Sequence, residues 1–113
     1  MYNETELNKK LLSFEGASLD FPFGKDVAVY RAGAPPPAGK MFALVSVGSD
    51  PVRLSLKCDP ALAEVLREKY ETILPGYHLN KRHWNTVILS GQLTTDEVDD
   101  LISHSHQLVT GAK

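Results

Sequence analysis

The sequence predicts an α+β fold in which helices pack on one face of an antiparallel sheet. Three observations support this prediction: a capping box near each end of the chain, three β-rich runs in its middle, and turn residues between those runs. The segments follow one another as helix, three strands, helix, one or two strands, helix. A chain of 113 residues can bury one core, so we expect a single domain over residues 1–113.

The two terminal helices are predicted from their first residues. Asn3 and Glu6 have capping-box spacing, so a helix is expected from about Glu4 to Phe14. Thr94 and Glu97 have the same spacing ahead of an apolar stripe at helical intervals. The chain should therefore begin and end with an amphipathic helix.

The middle of the chain predicts a three-stranded antiparallel meander, formed by VAVYR (27–31), MFALVSV (41–47) and VRLSLKC (52–58). In the third run the apolar residues alternate with Arg53, Ser55 and Lys57. We therefore expect Cys58 to lie in the core and these three polar side chains to face solvent.

A second helix is expected to begin at Asp59 and Pro60, because aspartate suits the N-cap and proline the first helical position. The helix should end near Tyr70. Its predicted inward stripe comprises Leu62, Val65, Leu66 and Tyr70. After an irregular stretch, residues 84–89 predict another strand.

Charge and cysteine content restrict the class of function. Twelve Lys and Arg against 14 Asp and Glu, with a pI near 6.0, give no global positive field, so a nucleic-acid site could only be a local patch. One cysteine excludes an internal disulfide and fits a reducing compartment, and we expect a cytoplasmic protein. No apolar run approaches the ~20 residues that span a bilayer, so no membrane contact is expected.

The sequence predicts no metal site, no cofactor and no enzymatic activity. His104 and His106 lie about 200° apart around a helix, so they cannot chelate one ion, and solvated or boundary positions are expected for both. His78 and His83 share a loop without further ligands at zinc spacing. Phosphate loops, nucleophile elbows and paired-histidine zinc helices are absent from the sequence.

The stretch PGYHLNKRHWNTVIL, residues 75–89, has two interpretations. In the first, Lys81, Arg82 and His83 form a polar loop before a strand that buries Trp84. In the second, this loop binds phosphate, with donors from the flanking asparagines and from Arg53 and Lys57 on the exposed strand face.

The same stretch carries a resemblance to a known family. The run SLKCDPALAEVLREKY…PGYHLNKRHWNTVILSGQLTTDEVDDLISHSHQLV resembles the MmcQ/YjbR family, as do FPFG and GKMFAL upstream. The resemblance covers nearly the whole chain. It implies a YjbR-like fold, akin to that of secretion chaperones, with the order α-β-β-β-α-β-β-α and a short strand within residues 72–79.

The resemblance also implies DNA binding by a double-wing motif, whose hairpin turns would be residues 32–40 and 48–51. The family-motif residues His78, Asn80, His83 and Trp84 are expected to be chiefly structural. Contact with DNA should be weak, non-specific and directed at phosphate, through Lys81, Arg82, Arg53 and Lys57. The alternative is a protein-interaction module. An apolar strip on the open face of the sheet would favour that alternative, and a positive patch would favour nucleic acid.

Overall fold

Six strands form one antiparallel sheet in the order β1-β2-β3-β4-β6-β5, and three helices pack against it. The computed structural model describes residues 2–33, 39–76 and 79–111. Its elements are α1 Glu4–Leu12, β1 Ser18–Asp20, β2 Val27–Ala32, β3 Lys40–Ser46, β4 Arg53–Lys57, α2 Pro60–Lys69, β5 Ile73–Pro75, β6 Trp84–Ile88 and α3 Thr95–Thr110.

The predicted α+β fold is confirmed, with one additional strand. Strand β1 was not predicted, because it has only three residues and two of them are polar. It is held by pairing with β2, where Ser18 lies opposite Arg31. The short strand expected within residues 72–79 is β5, so the chain follows the order α-β-β-β-β-α-β-β-α.

Both predicted capping boxes are present. The Asn3 side chain accepts a hydrogen bond from the Glu6 N–H at 2.8 Å, and Thr94 accepts one from the Glu97 N–H at 3.1 Å. In each pair the glutamate carboxylate accepts a hydrogen bond from the backbone N–H of the N-cap residue. Helix α1 ends at Leu12, two residues before the predicted end, and Ser13 caps it.

The main core lies between the helices and one face of the sheet. A register shift between Tyr30 and Arg31 makes Phe42 the extra residue of a bulge, so Phe42 and Ala43 both belong to this core. The bulge is tied to α3, because the Ser105 hydroxyl donates to the Phe42 carbonyl at 2.5 Å and accepts from the Lys57 N–H at 2.9 Å.

Helix α2 packs on the sheet through a different set of side chains from the predicted inward stripe. Ala63 is its buried residue, and Leu66 and Tyr70 pack against the core, but Leu62 and Val65 are 37% and 56% exposed. The small side chain of Ala63 permits close approach to β6. There the Asn85 amide donates to the Ala63 carbonyl at 3.3 Å.

The prediction for His106 was wrong. Its side chain is buried, with ring centroids 5.0 Å from Phe14 and 5.3 Å from Phe42, and its Nε2–H donates to the Glu15 carbonyl at 2.9 Å. The reason is that the chain leaving α1 folds over α3. His104 occupies the expected boundary position, where its Nε2 accepts from the Asp59 N–H at 3.2 Å.

Candidate nucleic-acid interface

One face of the sheet carries no helix among the described residues, and we call it the open face. Its side chains follow from the strand registers and from the alternation of side chains along each strand. They are Ser18 and Asp20 of β1, Val27, Val29 and Arg31 of β2, Met41, Leu44 and Ser46 of β3, Arg53, Ser55 and Lys57 of β4, Leu74 of β5, and Trp84, Thr86 and Ile88 of β6.

The centre of the open face is a small second core. Val29, Leu44 and Trp84 are buried there, with Val27, Met41 and Leu79 partly buried against them. The predicted burial of Trp84 and Cys58 is therefore confirmed, at 7% and 4% exposure. The tryptophan belongs to this second cluster, so its ring is a structural part of the open face rather than of the helix-covered core.

The prediction that Ser55 faces solvent was wrong. The side chain lies on the open face but is buried, and its hydroxyl is 2.9 Å from the hydroxyl of Thr86 on the neighbouring strand. The alternation along β4 assigned the face correctly. It did not reveal that neighbouring side chains cover the middle of that face.

A groove of about 600 Å³ runs over the open face. Apolar side chains form much of its wall, including Phe23 and Val47, which are 62% and 41% exposed. Asp26 and Arg53 are its charged residues. The remaining lining residues are Val27, Leu44, Ser46, Ser55, Leu79 and Thr86.

The four basic residues singled out from the sequence are divided between the two ends of β4. Arg53 is exposed at the first residue of the strand, and Lys57 is half-buried at the last, opposite Trp84. At ~3.3 Å per residue the two positions are about 13 Å apart. The Cys58 N–H donates to the His83 carbonyl at 2.7 Å, which holds the Lys57 end of β4 beside the loop that carries Lys81 and Arg82.

Local hydrogen bonds fix the backbone of that loop. The Asn80 side chain accepts from the Arg82 N–H at 2.9 Å, and the Asn80 carbonyl accepts from the His83 N–H at 3.2 Å. Lys81 donates from its Nζ to the Gly76 carbonyl at 3.2 Å, and its own carbonyl accepts from Arg67 at 2.7 Å.

The loop presents charge to solvent from this fixed backbone. Lys81 and Arg82 are both exposed, and within the described part of the chain no hydrogen bond or ion pair engages the Arg82 guanidinium. His83 is half-buried, and His78 lies outside the described residues, as do residues 34–38 of the first predicted wing turn. The structure thus gathers Lys57, Lys81 and Arg82 at one end of the sheet and leaves Arg53 at the other.

Arg31 also lies on the open face, and it is not among the basic residues predicted to contact DNA. It is half-buried on β2, and its Nη1 donates to the Gly39 carbonyl at 3.4 Å. The signal was present in the run VAVYR, where Val27, Val29 and Arg31 share one side. The exposure of Phe23 had no comparable signal, because the residue lies in a turn. Val47 was predicted to be the last residue of a strand, but β3 ends at Ser46.

Charge differs between the two layers of the molecule. The three helices contain eight Asp or Glu residues against four Lys or Arg residues. The six strands contain four Lys or Arg residues against one Asp. Since the helices occupy one side of the sheet, a protein with a net charge of −2 has its acidic helices on one side and a locally basic face on the other.

The surroundings of Cys58 and of the possible metal ligands show no catalytic or metal-binding arrangement among the described residues. Burial raises the pKa of the Cys58 thiol to about 11, with a further contribution from Asp59, so the reactive thiolate is scarce near neutral pH. In residues 2–33, 39–76 and 79–111 no three His, Cys, Asp or Glu side chains converge as metal ligands. Across the same residues, no helix combines the length and apolar character needed to cross a membrane.

Comparison with known proteins shows relatives across nearly the whole chain. A family model named YjbR matches residues 12–108. The chain is 40% identical to the uncharacterized protein YjbR of Escherichia coli K12 over 67 residues, which are 59% of this chain and 57% of that protein. It is 34% identical to the uncharacterized protein YbdF of Escherichia coli O157:H7 over 105 residues, covering 92% of this chain and 82% of YbdF. The match to YjbR thus spans little more than half the length of that relative.

Two solved structures have the same fold. The Deinococcus radiodurans protein DR2400, with a DUF419 domain, superposes with a TM-score of 0.91 at 36% identity, covering 100% of this chain and 83% of that one. The Pseudomonas syringae protein PsR293 gives a TM-score of 0.79 at 32% identity, covering 96% and 99%. These likenesses establish ancestry and fold, and their names state no ligand.

Proposed function

The chain belongs to the YjbR family, and we propose that it binds nucleic acid weakly, through phosphate contacts made by the open face and the loop of residues 79–83. The observation that carries the proposal is the unequal charge of the two layers. A polyanion is repelled by the acidic helices and attracted by the sheet side, where most of the strand cations lie.

Lys57, Lys81 and Arg82 supply the principal phosphate contacts in this proposal. They lie at one end of the sheet, and the hydrogen bonds of Asn80 hold the loop backbone before any ligand arrives. Lys81 keeps further ammonium hydrogens beyond the one that Gly76 accepts, since an ammonium has three donors. Arg53 adds a fourth contact for a ligand that follows β4.

The expected affinity is low and depends on salt. Four phosphate contacts release few counterions, so log affinity should fall with log salt with a slope of about −3 to −4. Sequence discrimination should be slight, because the helices of the described chain lie on the other side of the sheet and none is free to enter a major groove.

We propose a binding protein rather than an enzyme. Cys58 is buried with a raised pKa, and the nearby His83 contributes its backbone carbonyl, not its ring, to the bond with Cys58. Such an arrangement lacks the hydrogen-bonded nucleophile and base of covalent catalysis.

The test is a fluorescence-anisotropy titration of labelled DNA at low and moderate salt. The Lys81→Ala/Arg82→Ala variant should bind at least about tenfold more weakly and have a salt slope smaller by about 2. A Lys9→Ala/Lys69→Ala variant removes the same charge from exposed positions on α1 and α2 and should bind almost as wild type does. Absence of binding at low salt, or equal loss in both variants, would contradict the proposal.

A protein partner is the second candidate, and the apolar wall of the groove is the observation that favours it. Phe23 and Val47 expose apolar surface beside Leu44 and Leu79. Binding of an apolar peptide, selected from a library, should survive high salt and the Lys81→Ala/Arg82→Ala change, and it should be lost in Phe23→Ser. Nucleic-acid binding by charge alone should show the opposite pattern.

A further inference from the structure

We infer that the groove on the open face receives unpaired bases, so that the ligand is single-stranded nucleic acid in preference to duplex. This inference rests on the proposed function and specifies its substrate class. It joins two features of the open face. One is an exposed aromatic side chain at the groove, which phosphate binding by charge does not explain. The other is the pair of cations at opposite ends of β4.

Among the residues that line this groove, Phe23 presents an exposed aromatic side chain to a ligand. It lines the groove and is 62% exposed, whereas Trp84 is 7% exposed and packed with Val29 and Leu44. A free aromatic face offers a stacking surface to any base, and such stacking is the usual device of proteins that bind single strands. Paired bases inside a duplex cannot reach it.

The size of the groove fits this occupant. Its volume of about 600 Å³ falls within the ~300–1,000 Å³ range of clefts that enclose small organic groups. Val27, Leu44 and Leu79 supply an apolar surface against which a base can lie flat. A planar, largely apolar base face is therefore complementary to the groove.

The cations lie where the strand's phosphates would pass. Arg53 at one end of β4 and Lys57 at the other are about 13 Å apart, so the backbone of one nucleic-acid strand that follows β4 can contact both. Asp26 also lines the groove, and Asp20 lies on the open face beyond Val29. These carboxylates repel phosphate from the β1–β2 side, so the backbone should follow β4 while the bases turn towards Phe23.

The floor of the groove offers little means of choosing a base. The hydroxyls of Ser55 and Thr86 are 2.9 Å apart and bonded to each other. Stacking and charge are therefore the main interactions left, and both tolerate any sequence. We expect a preference for single strands with slight dependence on base composition.

The experiment compares one labelled oligonucleotide, as a single strand and as a duplex of equal length, in the same low-salt anisotropy titration. Wild-type protein should bind the single strand at least about tenfold more tightly. Phe23→Ala should weaken single-strand binding by about 5- to 150-fold and leave duplex binding unchanged, since base stacking on one aromatic is worth ~1–3 kcal/mol.

Phe21→Ala is the matched control. Phe21 is 45% exposed and lines a different groove, beside α1, so its loss should not affect either ligand. Melting temperatures of both variants should match wild type, because neither side chain is buried.

The outcomes separate this inference from the function on which it rests. Failure of both ligands to bind overturns the proposed function. Duplex binding as tight as single-strand binding, with Phe23→Ala unchanged, leaves nucleic-acid binding in place and overturns the single-strand inference. Binding of an apolar peptide but of no oligonucleotide, lost in Phe23→Ala, overturns both and assigns the groove to a protein partner.

Discussion

The side chains on the two faces of β4 differ sharply in burial. On one side Leu54 and Leu56 are 0% and 3% exposed beneath the helices, and on the other Arg53 is exposed and Lys57 half-buried. The helix-covered face holds most of the apolar core and so supplies most of the stability. Among the described residues, the buried apolar cluster of the open face consists of Val29, Leu44 and Trp84, and the margins of that face stay available for a ligand.

Polar groups follow the same division. On the covered side Asn85 donates to Ala63 and accepts from Arg67, and Ser105 joins the bulge to β4. Across the described residues no buried side-chain nitrogen or oxygen lacks a hydrogen-bond partner. On the open side of β4 Arg53 is exposed to solvent instead.

The largest expected difference between the faces is in packing. Phe42→Ala removes a fully buried ring of the main core, in contact with Phe14 and His106, and should lower the free energy of unfolding by about 3–5 kcal/mol. Leu44→Ala, two residues along the same strand on the open face, should cost about 2 kcal/mol, because its cluster is small. Urea denaturation measures both. Equal losses would show that the open face is as important for stability as the covered one.

A smaller effect is expected from the hydroxyl that ties α3 to the bulge. Ser105→Ala leaves the buried Phe42 carbonyl and the part-buried Lys57 N–H without the hydroxyl that bonds to both. The loss should be about 2–3 kcal/mol, since each orphaned buried group costs ~1–3 kcal/mol. Ser103→Ala on the same helix is the control, and it should change stability by less than about 0.5 kcal/mol. A similar loss at both serines would point to a helix effect instead.

Alkaline pH should weaken the covered face in particular. Burial and the charge of Glu4 raise the pKa of Tyr30 to about 12, above its usual 10.0. The unfolded chain therefore ionises first, and the stability contributed by the neutral phenol is complete below pH 10 and is lost as pH rises through about 12. Cys58, with a pKa of about 11, acts in the same direction.

Tyr30→Phe isolates the contribution of this phenol. The variant loses the 2.6 Å bond to Asn8 and should be less stable by about 1 kcal/mol at pH 7. The difference from wild type should shrink or reverse as pH approaches 12, because phenylalanine cannot ionise. Urea denaturation at several pH values tests this. A difference that is constant with pH would show that ionisation of Tyr30 does not contribute to alkaline unfolding.

Local sequence signals predicted most of the fold. The capping boxes at Asn3 and Thr94 depend only on residues three apart, and both are present. Alternation along β4 placed Arg53 and Lys57 on the same side. Two features that the sequence did not show arise from contacts between distant segments: the burial of Ser55 and the packing of His106 against Phe14. Strand β1 was missed for a different reason, because it has only three residues and two of them are polar.

The candidate site was predicted in part for the same reason. The basic residues could be recognised individually, but their grouping at the Lys57 end depends on the pairing of β4 with β6. Phe23 lies in a turn, where no periodicity indicates exposure, and its place in the groove depends on how the segment before β2 folds over the sheet. Exposure of an aromatic in a loop is a tertiary property.

The smallest expected effect concerns Asn80, and it tests whether the basic loop is prearranged for binding. Its side chain accepts the Arg82 N–H at 2.9 Å, but the residue is exposed, so water can replace the bond. Asn80→Ala should therefore cost only about 0.5–1 kcal/mol, measured as a small fall in melting temperature. Asn80→Asp keeps the acceptor oxygen and should restore most of the stability.

If the loop binds phosphate, Asn80→Ala should also weaken DNA binding about two- to fivefold, because Arg82 becomes less ordered. Asn80→Asp should weaken binding further by adding a negative charge. If binding changes in proportion to stability in both variants, Asn80 affects binding only by stabilising the fold.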